Sequence, residues 1–215
     1  MTDLVDIPSP GWPLVFGTEG LPAVVLVHDD YGRLPYLEAY ATALSKQGFF
    51  VVVPDLFNGV AAVDVEGVEL LRSRLDEGFA SATLSDAIAL ARSSGAARIG
   101  LIGMGMGGRL ALRSAQEGAV DTVIAYYAGL SDAESGIVPC PVALHYSEYD
   151  EWGSGLAADL FVSRLKEVGT PVTRHNYIGT STYFANATIS AVLDKNAAAL
   201  AFARSTYFMQ GQLLD

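Results

Sequence analysis

Residues 98–112 read RIGLIGMGMGGRLAL, a short apolar run that leads through four glycines into a helical pattern. A buried strand, a glycine-rich turn and a helix form the basic unit of α/β folds. In such units the turn lies at the carboxyl end of the strand, where α/β proteins bind their ligands. Gly105 is at the centre of this turn, so the position offers backbone atoms and no reactive side chain.

Apolar runs and helical patterns alternate on both sides of this segment. Strands that read as continuous Val, Ile and Leu runs are buried on both faces, and their alternation with helices predicts right-handed crossovers. We therefore expect a three-layer α/β fold, with a mostly parallel sheet of about six to eight strands flanked by helices. The predicted core strands are 23–28, 49–56, 98–103, 122–128, 141–147 and 172–178, with short edge strands at 4–7 and 14–16. The predicted helices are 34–46, 65–76, 83–93, 107–117, 155–167 and 187–206.

The composition limits the classes of partner. The chain has 215 residues, of which 51% are hydrophobic, and we expect one domain over residues 1–215. A net charge of −11 repels phosphate backbones and anionic lipid surfaces, so neither nucleic acid nor membrane is an expected partner. The N-terminus resembles no secretory signal and no apolar run reaches about 18 residues, which predicts a cytoplasmic protein. The single cysteine, Cys140, is expected to be a small buried hydrophobe.

The glycine turn allows two interpretations. Gly103, Gly105 and Gly108 satisfy the G-x-G-x-x-G pattern of dinucleotide-binding oxidoreductases. That pattern normally opens the first strand–helix unit, whereas two such units precede it here. The following strand also ends without the expected ribose-binding acid, and Asp132 is the nearest carboxylate beyond it. The dinucleotide interpretation is therefore the weaker of the two, and we expect no cofactor.

The same residues fit a nucleophile elbow, G-x-Nu-x-G, in which small flanking residues allow a sharp turn. Together with four other segments, GMGMGG at 103–108 resembles the dienelactone hydrolase family of α/β-hydrolases. Those segments are VVLVHDDYG at 24–32, VVVPDLFNG at 51–59, ALHYSEYD at 143–150 and YIGTSTYFAN at 177–186. The resemblance covers nearly the whole chain and implies the α/β-hydrolase fold.

The resemblance also implies positions for the catalytic residues. The nucleophile position falls on Gly105, the acid position on Asp150 and the histidine position on Thr182. The arginine that binds a substrate carboxylate in the family becomes Asn186, and the glutamate beside the nucleophile becomes Asp29. Two of the three triad members are thus lost on this interpretation, and only the acid is retained.

The remaining candidate residues follow the predicted strands. The backbone N–H groups of Met106 and Asp30 occupy the positions of the oxyanion donors in this fold. Acidic residues in these loops favour a neutral or cationic small molecule over an anionic lactone. No spacing of ligands predicts a metal site. The predicted ligand-binding residues are His28, Asp29, Asp30, Tyr31, Met106, Glu148, Tyr183 and Asn186.

Two functional hypotheses remain open alongside the dinucleotide alternative. The first is a family member that has lost covalent hydrolysis and binds a small molecule or a protein partner. The second is a hydrolase or lyase-type enzyme with non-covalent acid–base chemistry by His28, Asp29 or Asp150. A histidine that only orients its loop is the competing explanation for His28. The apolar C-terminal segment, 201–215, is expected to dock on its own domain or to form a homodimer.

Overall fold

The computed structural model of the chain describes residues 4–8, 10–150, 152 and 155–214. Its strands are β1 Leu4–Asp6, β2 Leu14–Phe16, β3 Ala23–Val27, β4 Phe50–Val53, β5 Val60–Ala62, β6 Ile99–Met104, β7 Thr122–Tyr126, β8 Val142–Tyr149 and β9 Val172–Ser181. Its helices are α1 Tyr36–Ser45, α2 Val65–Ser73, α3 Glu77–Ser93, α4 Met106–Ala115, α5 Leu156–Glu167 and α6 Lys195–Leu213. No described helix is long and apolar enough to cross a membrane.

Seven strands form one sheet in the order β2-β4-β3-β6-β7-β8-β9. Strand β2 runs antiparallel to β4, whereas β3 is parallel to β4 and the strands from β6 to β9 are parallel to one another. The predicted three-layer α/β fold is confirmed, as are the six core strands and the edge strand at β2. Strand β5 was not predicted, and it pairs with β1 in a separate two-stranded sheet.

The chain divides into two compact units, residues 1–99 and 100–215, and the single domain expected over 1–215 stays a prediction. In the first unit every residue of β3 and β4 is buried. Helix α3 packs on these strands through small and branched side chains, including Ala80, Leu84 and Ala87. Asp76 starts α3 by accepting a hydrogen bond from the Phe79 N–H, which satisfies one of the free donors at a helix start.

In the second unit β6 and β7 are fully buried, and α4 packs against β7. Helix α6 contacts β7 and β8, and α5 contacts β9. Cys140 is buried, as predicted, and burial raises the pKa of its thiol to about 11. The thiol therefore stays protonated near neutral pH, as expected for a packing residue.

The predicted start of the last helix, at residue 187, was wrong, because residues 187–194 form turns and α6 begins at Lys195. Asp194 caps this start by accepting the Ala197 N–H at 2.9 Å. A strong capping residue, preceded by β-branched residues of low helix propensity, explains the later start. The helix then continues through the apolar tail, and Met209 and Leu213 are buried against their own unit beside Gly100.

The outer side of the same helix leaves three apolar residues exposed. Leu200, Tyr207 and Leu214 follow one another at intervals of seven residues, and Tyr207 is 80% exposed. Docking on the chain's own unit thus buries only some of the apolar residues of the C-terminal segment. A homodimer through the rest of it stays a prediction.

A buried polar cluster ties α6 to the sheet of the second unit. The His145 Nδ1 lies 2.7 Å from the Tyr177 hydroxyl, and its Nε2 lies 3.1 Å from the Ser205 hydroxyl. The Ser205 oxygen also lies 2.7 Å from the Tyr126 hydroxyl, and the Tyr126 ring stacks on that of His145. Burial lowers the pKa of His145 well below its usual value of 6.5, with smaller contributions from the nearby positive groups. The imidazole is therefore neutral in the folded protein.

We expect the free energy of unfolding to decrease as the pH falls below about 6.5. The unfolded chain then protonates its histidines, whereas the folded chain does not protonate His145 until the pH reaches its lower folded-state pKa. Folding stability is thus complete above the unfolded pKa and declines below it. The variant His145→Gln should be less stable near neutral pH, and its stability should fall less steeply with acid. Urea unfolding measured across this pH range tests this, and an unchanged slope in the variant would contradict it.

Candidate functional site

The turn between β6 and α4 is a sharp strand-to-helix connection centred on Gly105. This residue has φ 51° and ψ −121°, a conformation that side chains disfavour and glycine tolerates. The Gly105 N–H donates to the Tyr126 carbonyl at 2.9 Å, and its own carbonyl accepts the Arg109 N–H at 3.1 Å. Met106 is the first residue of α4, so its N–H lies at the positive end of the helix dipole. The backbone has the shape of a nucleophile elbow around a residue without a side chain.

The flanking glycines are required by packing. A Cβ atom on Gly103 would lie 2.3 Å from the Gly107 carbonyl oxygen and 2.7 Å from the Gly108 Cα. A Cβ atom on Gly108 would lie 2.9 Å from the Ala128 Cβ. Real Cβ atoms essentially never come within 3.0 Å of other heavy atoms. The glycine pattern therefore has a steric explanation within the fold, independent of any nucleotide.

A dinucleotide site would also need an acid beyond β7 to bind the ribose, and Asp132 is the nearest candidate. Asp132 is exposed and forms an ion pair with Arg164 of α5. This carboxylate is thus engaged within the second unit. Across residues 4–8, 10–150, 152 and 155–214, no group of three or more His, Cys, Asp or Glu side chains is arranged to hold a metal ion.

Asp150, which the family resemblance predicts at the acid position, follows β8 beside an irregularity in the pairing of β8 with β9. One carboxylate oxygen accepts a hydrogen bond from the Ser147 hydroxyl, and the other accepts the Trp152 N–H at 2.6 Å. No histidine is among its hydrogen-bond partners in the described part of the chain. Ser147 was not among the predicted site residues, although its spacing of three residues from Asp150 is compatible with a local hydrogen bond.

The loop after β9 contains Thr182 and Asn186, the residues that the family resemblance predicts at the histidine and arginine positions. Thr182 is half-buried, and the next residue, Tyr183, has φ 68°. A non-glycine residue in this region costs about 1–2 kcal/mol, so its surroundings must hold it there. The Asn186 N–H donates to the Tyr183 carbonyl at 2.8 Å, and the buried Asn186 side chain accepts the Thr188 N–H at 3.1 Å. The loop is firmly built, but it carries no imidazole.

Two other side chains of the second unit support this loop. The Glu148 carboxylate accepts the Gly179 N–H at 2.6 Å. The Tyr127 hydroxyl accepts the Ala185 N–H at 2.8 Å, and its ring packs edge-on against those of Tyr183 and Phe184. Glu148 thus has a structural partner. No motif in the sequence pointed to Tyr127, whose role depends on a residue 58 positions away.

In the first unit His28 follows β3 and is fully buried. Its Nε2 accepts the Leu56 N–H at 3.0 Å, so the proton is on Nδ1, which donates to the Asp29 carbonyl at 2.8 Å. Burial lowers the pKa of the imidazole. This effect is larger than the opposite effect of the Asp29 hydrogen bond and the nearby carboxylates, which raise the pKa. Both nitrogens are therefore engaged by the backbone, as expected for a histidine that orients its loop.

The neighbouring carboxylates also have partners within the first unit. Asp29 accepts hydrogen bonds from the Tyr31 N–H at 2.9 Å and the Tyr36 hydroxyl at 3.1 Å. Asp30 forms an ion pair with Arg72 at 2.7 Å. Burial raises the pKa of the Tyr31 phenol, and Asp29 and Asp30 add to the effect. Part of the negative charge that the sequence places here is thus compensated locally.

The sequence model of the dienelactone hydrolase family matches residues 14–213. The chain belongs to the dienelactone hydrolase family. The match includes Gly105, Asp150 and Thr182. No curated protein matches the chain.

Solved structures of hydrolases share the fold of this dienelactone hydrolase family member. A dienelactone hydrolase-like promiscuous phosphotriesterase from metagenomic libraries has a TM-score of 0.77 at 14% identity, covering 92% of this chain and 88% of its own. The dienelactone hydrolase of Anabaena variabilis has a TM-score of 0.67 at 18% identity, covering 99% of both chains. An esterase of Pyrobaculum calidifontis has a TM-score of 0.66 at 18% identity, covering 97% of this chain and 85% of its own. At such low identity these similarities show the fold alone.

The two kinds of glycine in the elbow predict different mutational costs. Gly105→Ala should lower the free energy of unfolding by about 1–2 kcal/mol, because its positive φ of 51° is unfavourable for a residue with a side chain. Gly103→Ala should cost more than about 2 kcal/mol, because strand and helix must separate. Chemical denaturation of both variants and of the wild type measures the difference. Equal costs would contradict the steric account of this turn.

Proposed function

We propose that this dienelactone hydrolase family member has lost covalent acyl-enzyme hydrolysis and binds a small neutral or cationic molecule. The observation that carries the proposal is Gly105 at the centre of the elbow turn. Glycine has neither the oxygen nor the sulfur that attacks an acyl carbon in this fold. Without a nucleophile, covalent hydrolysis loses about a factor of 10⁶, or about 8 kcal/mol of barrier lowering.

The histidine position supports the same conclusion independently. Thr182 occupies it, and a threonine hydroxyl cannot serve as a general base near neutral pH. Asp150 at the acid position is held by the Ser147 hydroxyl and the Trp152 N–H, so its carboxylate is used to shape a loop. A triad acid acts by orienting an imidazole, and no described imidazole is bonded to this one.

The alternative enzyme hypothesis depended on His28, Asp29 or Asp150 acting as acid or base without a covalent intermediate. The arrangement of these groups gives it little support. The His28 nitrogens are both engaged by backbone groups, and the Asp29 carboxylate is fully buried and accepts hydrogen bonds from Tyr31 and Tyr36. A general base must have a lone pair within reach of the substrate proton. Binding without acyl chemistry is therefore the function that the geometry favours.

The firm construction of the loops also supports a binding role. Tyr183 has a strained backbone conformation, and such strain is usually retained only at functional sites. Its presence here favours a remaining function of this loop other than catalysis. The Tyr183 ring and the half-buried Thr182 offer an aromatic and a hydroxyl group, which suit a small molecule of mixed polarity. The cytoplasmic location remains a prediction beside this proposal.

An esterase assay with p-nitrophenyl butyrate tests the proposal. We expect the wild-type protein to hydrolyse the ester no faster than buffer, because it has no nucleophile at the elbow. The double variant Gly105→Cys/Thr182→His should gain turnover, because on this proposal it restores the two missing members of a triad whose acid is Asp150. Adding Asp150→Asn to the double variant is the matched control and should remove most of the gain.

Two results would contradict the proposal. Wild-type turnover that disappears in the single variant Asp150→Asn would show that the protein is an active esterase. A double variant that folds, as judged by circular dichroism and thermal melting, but gains no activity would mean that Thr182 or Asp150 does not occupy its assigned position.

A further inference from the structure

A cavity lined only by residues of the first unit shares no residue with the candidate site described above. Its volume is about 670 Å³, which is in the range of small-molecule sites. It opens between the edge strand β2 and the helix α3. Its apolar walls include Trp12, Val15, Phe50, Phe79, Ala87 and Leu90.

Large apolar side chains of this cavity are exposed to solvent. The Trp12 side chain is 75% exposed, Val15 is 52% exposed and Phe79 is 42% exposed. Burial of a tryptophan side chain is strongly favourable in free energy, because the side chain is large and mostly apolar. Three such residues around one cavity form an apolar surface of the kind that marks binding sites.

A buried arginine fixes the loop that carries Trp12. Arg33 is only 4% exposed, and its guanidinium donates to the carbonyls of Trp12 at 2.6 Å, Pro8 at 2.7 Å and Val53 at 3.3 Å. Burying a guanidinium is costly unless its donors are satisfied, and here three backbone carbonyls satisfy it. The Trp12 backbone is therefore tied to β4 while its ring stands in solvent at the cavity.

A buried aspartate fixes the same loop at Gly11, next to Trp12. Asp55 accepts hydrogen bonds from the N–H groups of Gly11 at 3.2 Å, Phe57 at 3.1 Å and Gly59 at 2.6 Å. Its charge is thus offset by three oriented backbone dipoles. The cavity wall is preorganised by two buried charged side chains, which lowers the entropy cost of binding a ligand there.

The exposed charged side chains that line the cavity are all negative. Glu19 and Asp86 line it and are exposed, and no lysine, arginine or histidine is among the described lining residues. The net charge of −11 adds to the negative potential. Aromatic faces beside carboxylates attract organic cations, because the ring quadrupole and the negative charges act in the same direction.

We propose that this cavity binds a small organic cation with an apolar body, such as an amine or a quaternary ammonium compound. The Trp12 and Phe79 rings cover the apolar body and the cationic centre, and Glu19 and Asp86 balance the charge. This site goes beyond the proposed function, because none of its residues belongs to the elbow or to the loops around Asp150 and Thr182.

Benzyltrimethylammonium is a suitable probe, with benzenesulfonate as an aromatic anion for comparison. The protein has two tryptophans, so Trp152→Phe leaves Trp12 as the only tryptophan reporter. Titration with the cation should change the Trp12 fluorescence. The anion should bind at least about tenfold more weakly. Isothermal titration calorimetry of the wild-type protein should give the same affinity, which checks that the Trp152→Phe substitution does not alter binding.

The double variant Glu19→Gln/Asp86→Asn should weaken cation binding about five- to tenfold and leave binding of neutral benzyl alcohol unchanged. Glu69→Gln removes one charge from the exposed side of α2 and serves as the matched control, with little expected effect. Thr83→Trp should fill the cavity and abolish binding. The variant Gly105→Cys/Thr182→His should bind the cation as the wild type does, which separates this site from the elbow.

Several outcomes would overturn the proposal. These are absence of cation binding by the wild-type protein, equal affinity for the anion, and equal effects of the double variant and Glu69→Gln. Sedimentation equilibrium supplies one more. A dimer that dissociates on Trp12→Ala would mean that a second copy of the chain covers this surface, and the small-cation proposal would then be wrong.

Discussion

The close approach of β6 and α4 is the constraint on which the rest of the candidate site depends. The Gly103 position has no room for a Cβ atom because the Gly107 carbonyl occupies that space, and Gly108 is confined by Ala128. Strand and helix can meet at this distance only if the turn between them is sharp, which forces positive φ at Gly105. The turn geometry is therefore maintained by packing and does not require a catalytic side chain at its centre.

Turn geometry and chemistry are separable here, which is the physical basis for the proposal that this family member keeps the fold without a nucleophile at the elbow. In a covalent hydrolase the central residue combines a strained backbone with a reactive atom. Glycine relieves the strain, and the backbone hydrogen bonds of Gly105 to Tyr126 and Arg109 preserve the turn. The other groups have structural roles as well: Asp150 is held by Ser147 and Trp152, and His28 links the backbone of Asp29 and Leu56. The hydrogen bonds of Asp150 and His28 stabilise the loops that carry them.

The sequence predicted the core strands and the elbow because both depend on local patterns. Continuous Val, Ile and Leu runs indicate buried strands, and the glycine spacing at 103–108 indicates a tight turn. Partners distant in the chain could not be predicted in this way. Asp30 and Arg72 are 42 residues apart, and nothing in their local sequence indicates an ion pair. The cavity beside Trp12 was missed for the same reason, since Arg33 and Asp55 shape it through backbone groups of other segments. The start of α6 was misplaced because capping by Asp194 outweighed the apolar pattern before it.

The central claim is that no residue of this protein forms an acyl-enzyme at the elbow. Intact-protein mass spectrometry after incubation with p-nitrophenyl acetate tests it most directly, with hydroxylamine treatment to distinguish a labile ester or thioester from stable acetylation of lysine. The account predicts an unmodified mass apart from adducts that resist hydroxylamine. A stoichiometric, hydroxylamine-sensitive acetyl adduct, located by peptide mapping to a serine, threonine or cysteine after one of the core strands, would contradict it.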